Sequence, residues 1–523
     1  MSNFKRFLPK GRHGADEPGG IRAGGFHGFR PANDNNSGSQ MPFRSSAPPA
    51  LEFREAEPMA DMQPLQPMTD KRLYSTYRRI RGSLDASFVN GTPLINCGGK
   101  AFTINDIVAI AVASGTNMYL VGSRGTGKTL LAETMRRSIF GDRGFYLRGD
   151  PDLRLKDLYT SLNLNGKTDE EIYRISRATE LCFALMDEMN RIPGLLQGQF
   201  LHLFDGYIEI RGVKYPLGTG NYMLAVGTGN PPVNGDYTGT FEEDIALLDR
   251  IPLIINVDEV EHAKGDIASI MLADADKSSI PVCDMTPDVL AAHAYLRQKR
   301  TQDTETAATI ALFSEFAYDQ LRYVSIGGKR VDKAQEHSWR DKLSGEHDAG
   351  KMMSFASDVS VRTLKHAVRM ACSIFQIAQI ESELKISHGV RVNPVEFSDF
   401  LSAFLDSLKL SLTYDRRFIP ADLPGQLDKT HAEMLDAVFA DLASAMDTNS
   451  FYQTSMILED FLKSFDNGDF AKAQNTKNQV AKQLKSGANP PLQAAFGIME
   501  SKLRNKEKAD MDALLERALS DAA

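Results

Sequence analysis

Cysteine is scarce. Cys97, Cys182, Cys283 and Cys372 stand far apart and form no CxxC or Cys/His ligand spacing. That excludes a disulfide framework or a thiolate metal site read from spacing, and it fits a reducing compartment such as the cytoplasm. Long apolar runs are also missing. No stretch of about 18 apolar residues occurs, so no membrane-spanning helix is expected. Lys5, Arg6, Lys10 and Arg12 have no apolar segment behind them, which argues against a secretory signal. There is no excess of positive charge either. Sixty Lys and Arg face 68 Asp and Glu, a net charge of −8. That balance argues against a dedicated polyanion binder, although local basic patches remain open. No repeat of fixed period is found.

What is present reads as globular. Hydrophobic residues make up 42% and charged residues 24% of a 523-residue chain, long enough for two to four domains. Residues 1–70 are the exception. "GGIRAGGFHGFRPANDNNSGSQ" offers too little apolar side chain to offset its ordering entropy, so a disordered tail is expected, a tether or recruitment segment. Order is expected to begin near "TDKRLYSTYRRIRGSL".

From about residue 100 to 257, apolar runs alternate with helical patterns. "NMYLVG" (117–122), "CFALMDE" (182–188), "NYMLAVGTGN" (221–230) and "IPLIINV" (251–257) are apolar almost throughout, as strands covered on both faces are. An α/β fold with a parallel sheet follows, over residues 71–260. Residues 261–415 turn helical, as in "TPDVLAAHAYLRQKR" and "SVRTLKHAVRMACSIFQIAQIESEL", and are expected to form an α-helical lid. The polar stretch "GGKRVDKAQEHSWRDKLSGEHDAGK" inside it reads as a long loop. Residues 416–523 read as further helices, broken at "DNGD" and "SGANPP".

The chemistry is concentrated in a few segments. Gly122, Ser123, Arg124, Gly125, Thr126, Gly127, Lys128 and Thr129 fit G-x-x-x-x-G-K-[ST] at every defined position, and Leu130 continues into a helix. The glycines let backbone N–H groups close around phosphate oxygens, and the following helix turns its positive end toward the anion. Lys128 would bridge the β- and γ-phosphates of ATP, and the Thr129 hydroxyl would hold Mg²⁺. "CFALMDEMNR" ends a strand in two carboxylates. Asp187 is the candidate for the Mg²⁺ shell and Glu188 for the general base toward the attacking water. Asn230 ends another strand, where an amide could orient water, although Asn-Pro is also an ordinary turn. Arg250 closes "FEEDIALLDR"; it suits an arginine finger, and equally a surface pair with Asp249 or Glu243. Arg362 in "SVRTL" could sense nucleotide from the lid.

Together these residues resemble the AAA+ ATPases, and within them the MoxR family. The local match is "DEMNRIPGLLQGQFLHLFDGYIEIRGVKYPLGTGNYMLAVGTGNPP" (187–232), joined by "LLDR" and "SVRTL", over roughly residues 85–415. The resemblance implies a P-loop AAA+ core with a helical lid. It assigns Asn230 as sensor 1, Arg250 as the finger acting in trans and Arg362 as sensor 2, all catalytic with Glu188. It implies an ATP hydrolase dependent on Mg²⁺ that forms a homo-oligomer, a hexamer, and remodels a partner as a chaperone. In that family the partner is often a von Willebrand factor A protein. No D-x-S-x-S stretch occurs here, so such a partner would be a separate chain. Residues 155–180 lie where the family carries an insertion facing the pore or substrate. Arg124 departs from the family's small or apolar residue. In "YIEIRGVKY", Tyr207, Glu209 and Arg211 alternate with Ile208 and Ile210 around Gly212, the pattern of a β-hairpin. A nucleic-acid motor is the alternative, using Lys214, Arg211 and "YRRIRG"; the acidic charge weighs against it. A nucleotide-bound switch with little turnover is a third reading, and the intact Glu188 and Arg250 argue against it.

Overall fold

The computed structural model describes residues 67–86, 88, 93–152, 181–210, 213–230, 250–260, 268, 280–302, 304–326, 329–332, 359–411, 431–487 and 489–521. Residues 1–66 of the expected tail, residues 155–180, Arg211 and Gly212, and Asp249 and Glu243 fall outside them.

Helix α1 (Asp70–Asp85) starts at Thr69, whose hydroxyl accepts from the Arg72 N–H. Its residues Leu73, Tyr77, Ile80 and Leu84 recur at helical spacing, are all buried, and face α2 (Ile104–Ser114). Between them a hairpin pairs β1 (Ile95–Cys97) with β2 (Lys100–Phe102). Every residue of α2 is buried, as its unbroken "IVAIAVA" requires. The helix opens on a reciprocal cap between Thr103 and Asp106 and stops at Gly115 with φ 65°, a left-handed geometry that favours glycine. Asp106 is buried with Tyr77 and Arg81 as partners, which satisfies its charge.

The chain then builds the sheet. Strand β3 (Met118–Val121) leads into α3 (Lys128–Ile139), β4 (Gly144–Arg148), β5 (Phe183–Asp187) and helix α4 (Gly194–Phe204). Strands β6 (Tyr207–Ile210) and β7 (Val213–Pro216) pair antiparallel as the expected hairpin. Next come β8 (Leu224–Gly229) and β9 (Leu253–Asn256). The order is β4-β5-β8-β3-β9, and every neighbouring pair is parallel. Strands β3, β5 and β8 are buried along their whole length, the consequence of cover on both faces. Glycines 227 and 229 in β8 make room for Tyr119; a Cβ at Gly229 would lie 1.9 Å from its hydroxyl.

Two long helices follow, α5 (Thr286–Gln302) and α6 (Thr304–Arg322). The polar stretch expected as a loop begins instead as a hairpin, β10 (Tyr323–Ile326) with β11 (Lys329–Asp332), fixed by Arg322 donating to Asp332 at 2.9 Å. Helices α7 (Val361–Ser387) and α8 (Phe397–Ser411) pack side by side. The last four helices are α9 (His431–Met446), α10 (Thr448–Asp466), α11 (Phe470–Leu484) and α12 (Pro490–Asp521); the breaks after α10 and α11 fall at the turns the sequence marks, and the one at Asp447 is not marked. Helices α10 and α12 pack on α6, so residues as distant as Leu73 and Leu503 share one hydrophobic core. The arrangement is an α/β phosphate-loop core followed by a helical region.

Candidate nucleotide site

The phosphate loop runs from the end of β3 to the start of α3. Gly125 and Gly127 hold φ of 83° and 82°, values a side chain would strain, and so let the loop curl back on the helix end. Lys128 is the first residue of α3 and is buried. Its ammonium donates to the carbonyl of Gly122 at 2.8 Å, to that of Ser123 at 2.5 Å and to Thr126 Oγ1 at 3.2 Å. Burial lowers the Lys128 pKa, and the charges of Asp258, Asp187 and Glu188 oppose that shift. Arg124 stands exposed at the loop tip. Leu130 lies in the first turn of α3.

The two carboxylates behave differently. Asp187 ends β5, buried, and accepts at Oδ1 from Thr129 Oγ1 at 2.8 Å and from Thr228 Oγ1 at 2.7 Å. Tyr146 on β4 donates to its other oxygen at 3.2 Å. Burial, then the charge of Asp187, pushes the Tyr146 hydroxyl up to about 12, so it stays a donor at neutral pH. Glu188 sits in the left-handed region with φ 55°. A non-glycine residue there costs on the order of 1–3 kcal/mol and marks places where function dictates geometry. Two contacts hold it. Its N–H donates to Thr228 Oγ1 at 2.9 Å, and Gly149 lies so close behind that a Cβ there would come within 2.2 Å of the Glu188 carbonyl. Its carboxylate is gripped by Arg148 at 3.2 Å and Arg191 at 3.3 Å.

Asn230 follows β8. Its carbonyl accepts from Asn190 Nδ2 at 2.5 Å, which ties the end of β8 to the turn after Glu188. The structure thus brings residues 122–130, Asp187, Glu188 and Asn230 together at the carboxyl ends of neighbouring strands. Ligands bind at that edge in open α/β sheets.

It does not bring Arg250 or Arg362 there. Arg250 precedes β9 and donates from Nε to Asp205 at 2.7 Å, whereas Asp249 and Glu243, considered from sequence, lie outside the described residues. Its carbonyl accepts from Asn117, just ahead of β3. The loop begins after the last residue of β3, and four residues of strand span about 13 Å. Helix α7 carries Arg362 in its first turn. Seven residues on, Arg369 donates to the Gly115 carbonyl at 2.8 Å, beyond the C-terminus of α2. Still further along α7, Glu381 pairs with Lys100, ahead of α2. Asn105 in the first turn of α2 donates to the Phe88 carbonyl, and the Phe88 ring packs on Gly127. So α7 runs opposite to α2, and Arg362 lies at the end of the sheet away from its own loop.

The site fits Mg²⁺ on its donor chemistry. In phosphate sites that ion takes one or two protein oxygens beside waters and phosphate oxygens. The Thr129 hydroxyl and Asp187 carboxylate offer two hard oxygens in contact. Among the described residues no group of three His, Cys, Asp or Glu could hold a metal unaided.

Four residues here carry no signal that sequence reading used: Thr228, Tyr146, Arg148 and Asp258. Thr228 could have been noticed as a hydroxyl inside an otherwise apolar strand, two residues before Asn230. The others are visible only once strands β4 and β9 flank the loop.

Residues 117–250 match the family model of the AAA domain, dynein-related subfamily. No curated protein matches the sequence. A crystal structure of a candidate ATPase from Cytophaga hutchinsonii is similar at 14% identity, covering 71% of this chain and 96% of that one. Its TM-score of 0.44 is too low to bear on function. The chain carries an AAA+ domain and is an ATP hydrolase. Among the described residues no helix is long and apolar enough to cross a membrane.

Proposed function

We propose that residues 122–130 hold the phosphates of ATP, that Thr129 and Asp187 hold Mg²⁺, and that Glu188 is the base toward the attacking water, with Asn230 orienting it. Bound Mg²⁺ supplies Lewis-acid stabilisation of the phosphates. The chain's own share is positioning. Lys128 neutralises phosphate charge, and the glycine-rich backbone donates to phosphate oxygens. Arg148 and Arg191 hold Glu188 until a water takes its place on the carboxylate.

The proposed assembly is a homo-oligomeric ring, a hexamer in the MoxR manner, that remodels a separate partner protein in the cytoplasm. A von Willebrand factor A protein is the partner this reading favours. We assign residues 71–260 to the core, 261–415 to the lid and 416–523 to a C-terminal helical region suited to recruitment. One observation carries the ring: Arg250 and Arg362 stand at the opposite end of the strands from the loop. An arginine that serves the γ-phosphate from there serves a neighbour's, and such fingers contribute on the order of 10³–10⁵ in rate. Removal of the γ-phosphate then breaks a contact between two chains and shifts them as rigid bodies.

Mixed rings test this. Arg250→Ala should bind ATP and fail to hydrolyse it, and Lys128→Ala should not bind ATP. Mixed together, each supplies what the other lacks, and activity should return. If mixtures stay inactive, catalysis across the seam is refuted. The nucleic-acid reading has little support: Lys214 lies over the Tyr207 ring at 4.7 Å, engaged within the hairpin. Salt-dependent stimulation of hydrolysis by DNA would favour it.

A further inference from the structure

We propose that Asp258 is a positioning residue of the phosphate loop, and that it acts on Lys128 through the single peptide group joining Gly122 to Ser123. The inference rests on the reading above that this loop holds the triphosphate.

The geometry is specific. Asp258 lies two residues past the end of β9, in a single turn of 3₁₀ helix over Val257–Glu259. The turn is fixed from both sides. The Asn256 side chain accepts from the Asp258 N–H at 3.2 Å, and Val257 and Val260 are buried. From there both carboxylate oxygens lie 2.8 Å from the Ser123 N–H, and Oδ2 also accepts from the Ser123 hydroxyl at 2.8 Å. The approach leaves no slack, because a Cβ at Gly122 would meet Oδ1 at 3.0 Å. The first glycine of the loop is needed here so that the carboxylate can come close.

The Ser123 N–H and the Gly122 C=O belong to one planar peptide group. Asp258 holds the N–H side. Lys128 donates to the C=O side at 2.8 Å. A carboxylate accepting at one end polarises the group, so its carbonyl attracts the ammonium more strongly. Rotation of that peptide would move one of the three acceptors that hold Lys128, leaving it the Ser123 carbonyl and Thr126 Oγ1. Asp258 therefore fixes where the lysine rests, and its charge is the largest of those that favour the protonated ammonium against burial. Two opposed effects bear on ATP. The extra negative charge repels the phosphates, and the ordered loop spares the entropy of shaping the site on binding. Asp258 is exposed, so its charge is screened by water, whereas the orientation of the peptide is not. Ordering wins, and loss of Asp258 weakens binding.

The full chain tests this by calorimetric titration with ATP in EDTA, where no turnover occurs. Asp258→Ala is expected to raise the Kd for ATP by about tenfold, the scale of one lost charged hydrogen bond. Asp258→Asn keeps an oxygen that accepts from the Ser123 N–H, and should stay within about threefold of the parent. Thermal midpoints of both variants should match the parent, which separates positioning from folding. Unchanged or tighter binding by Asp258→Ala overturns the proposal, as does an equal loss in Asp258→Asn. Lys128→Ala is titrated alongside. If it binds ATP like the parent, the reading of the loop itself fails. If it loses ATP while Asp258→Ala does not, only the role of Asp258 fails.

Discussion

Thr129 Oγ1 lies 2.8 Å from Asp187 Oδ1, although the two residues are 58 positions apart. The hydroxyl belongs to the first turn of α3 and the carboxylate to the last residue of β5. Two elements that follow different strands thus meet at one oxygen pair. If this pair holds Mg²⁺, Asp187→Ala should bind ATP in EDTA as the parent does. It should also lose about a hundredfold or more in Mg²⁺-dependent phosphate release. Parent-like release would remove Asp187 from the metal shell.

Glu188→Gln keeps the shape of the side chain and removes its basicity. ATP should stay bound and turnover should fall by about 10²–10⁴-fold. Size-exclusion chromatography with ATP should show a stabilised oligomer. Hydrolysis at the parent rate would mean that another group activates the water.

Arg250 has two possible duties, and Asp205 tells them apart. Their ion pair is partly exposed, so its loss should cost about 1 kcal/mol or less. Asp205→Asn should therefore hydrolyse ATP near the parent rate, while Arg250→Ala does not. Equal losses in both variants would reduce Arg250 to a partner of Asp205.

A buried histidine, His293, and a half-buried one, His366, predict acid sensitivity. Burial, then the charge of Arg369, lowers His293 to about 4 and His366 to about 3, from 6.5. The unfolded chain takes up protons first as pH falls through 6.5. The stability these rings contribute is therefore complete above pH 6.5 and is lost as pH falls toward 4 and then 3. The thermal midpoint should decline over that window. His366 Nδ1 is buried without a hydrogen bond, so His366→Leu should leave the midpoint at pH 7 nearly unchanged and flatten the decline. An unaltered slope would exclude His366 as its source.

The sheet was legible because the segments that hold four of its five strands are apolar almost throughout, as burial on both faces requires for β3, β5 and β8. β4 was not, since "GFYLR" alternates exposed Tyr146 and Arg148 with buried Phe145 and Leu147. Those exposed residues turn out to touch Asp187 and Glu188. The loop and the Asp-Glu pair were legible because their residue types and spacing are dictated by phosphate and metal chemistry. The partners of Arg250 were not, because Asp205 comes near only through the packing of α4. Asp258 was invisible for a similar reason: a carboxylate after a strand has many uses, and only the register of β9 beside β3 aims it at Ser123.

If Arg250 serves a neighbour's loop as proposed, the strand length between the two decides how copies can complete one another. In a two-fold pair each copy would have to give its arginine to the same partner that supplies one. In a head-to-tail row each would give to one neighbour and take from the other, closing a ring where the rotation between copies divides a full circle and growing a helical filament where it does not. In such an open row the terminal loop would have no arginine facing it, so closure itself would add the last working site.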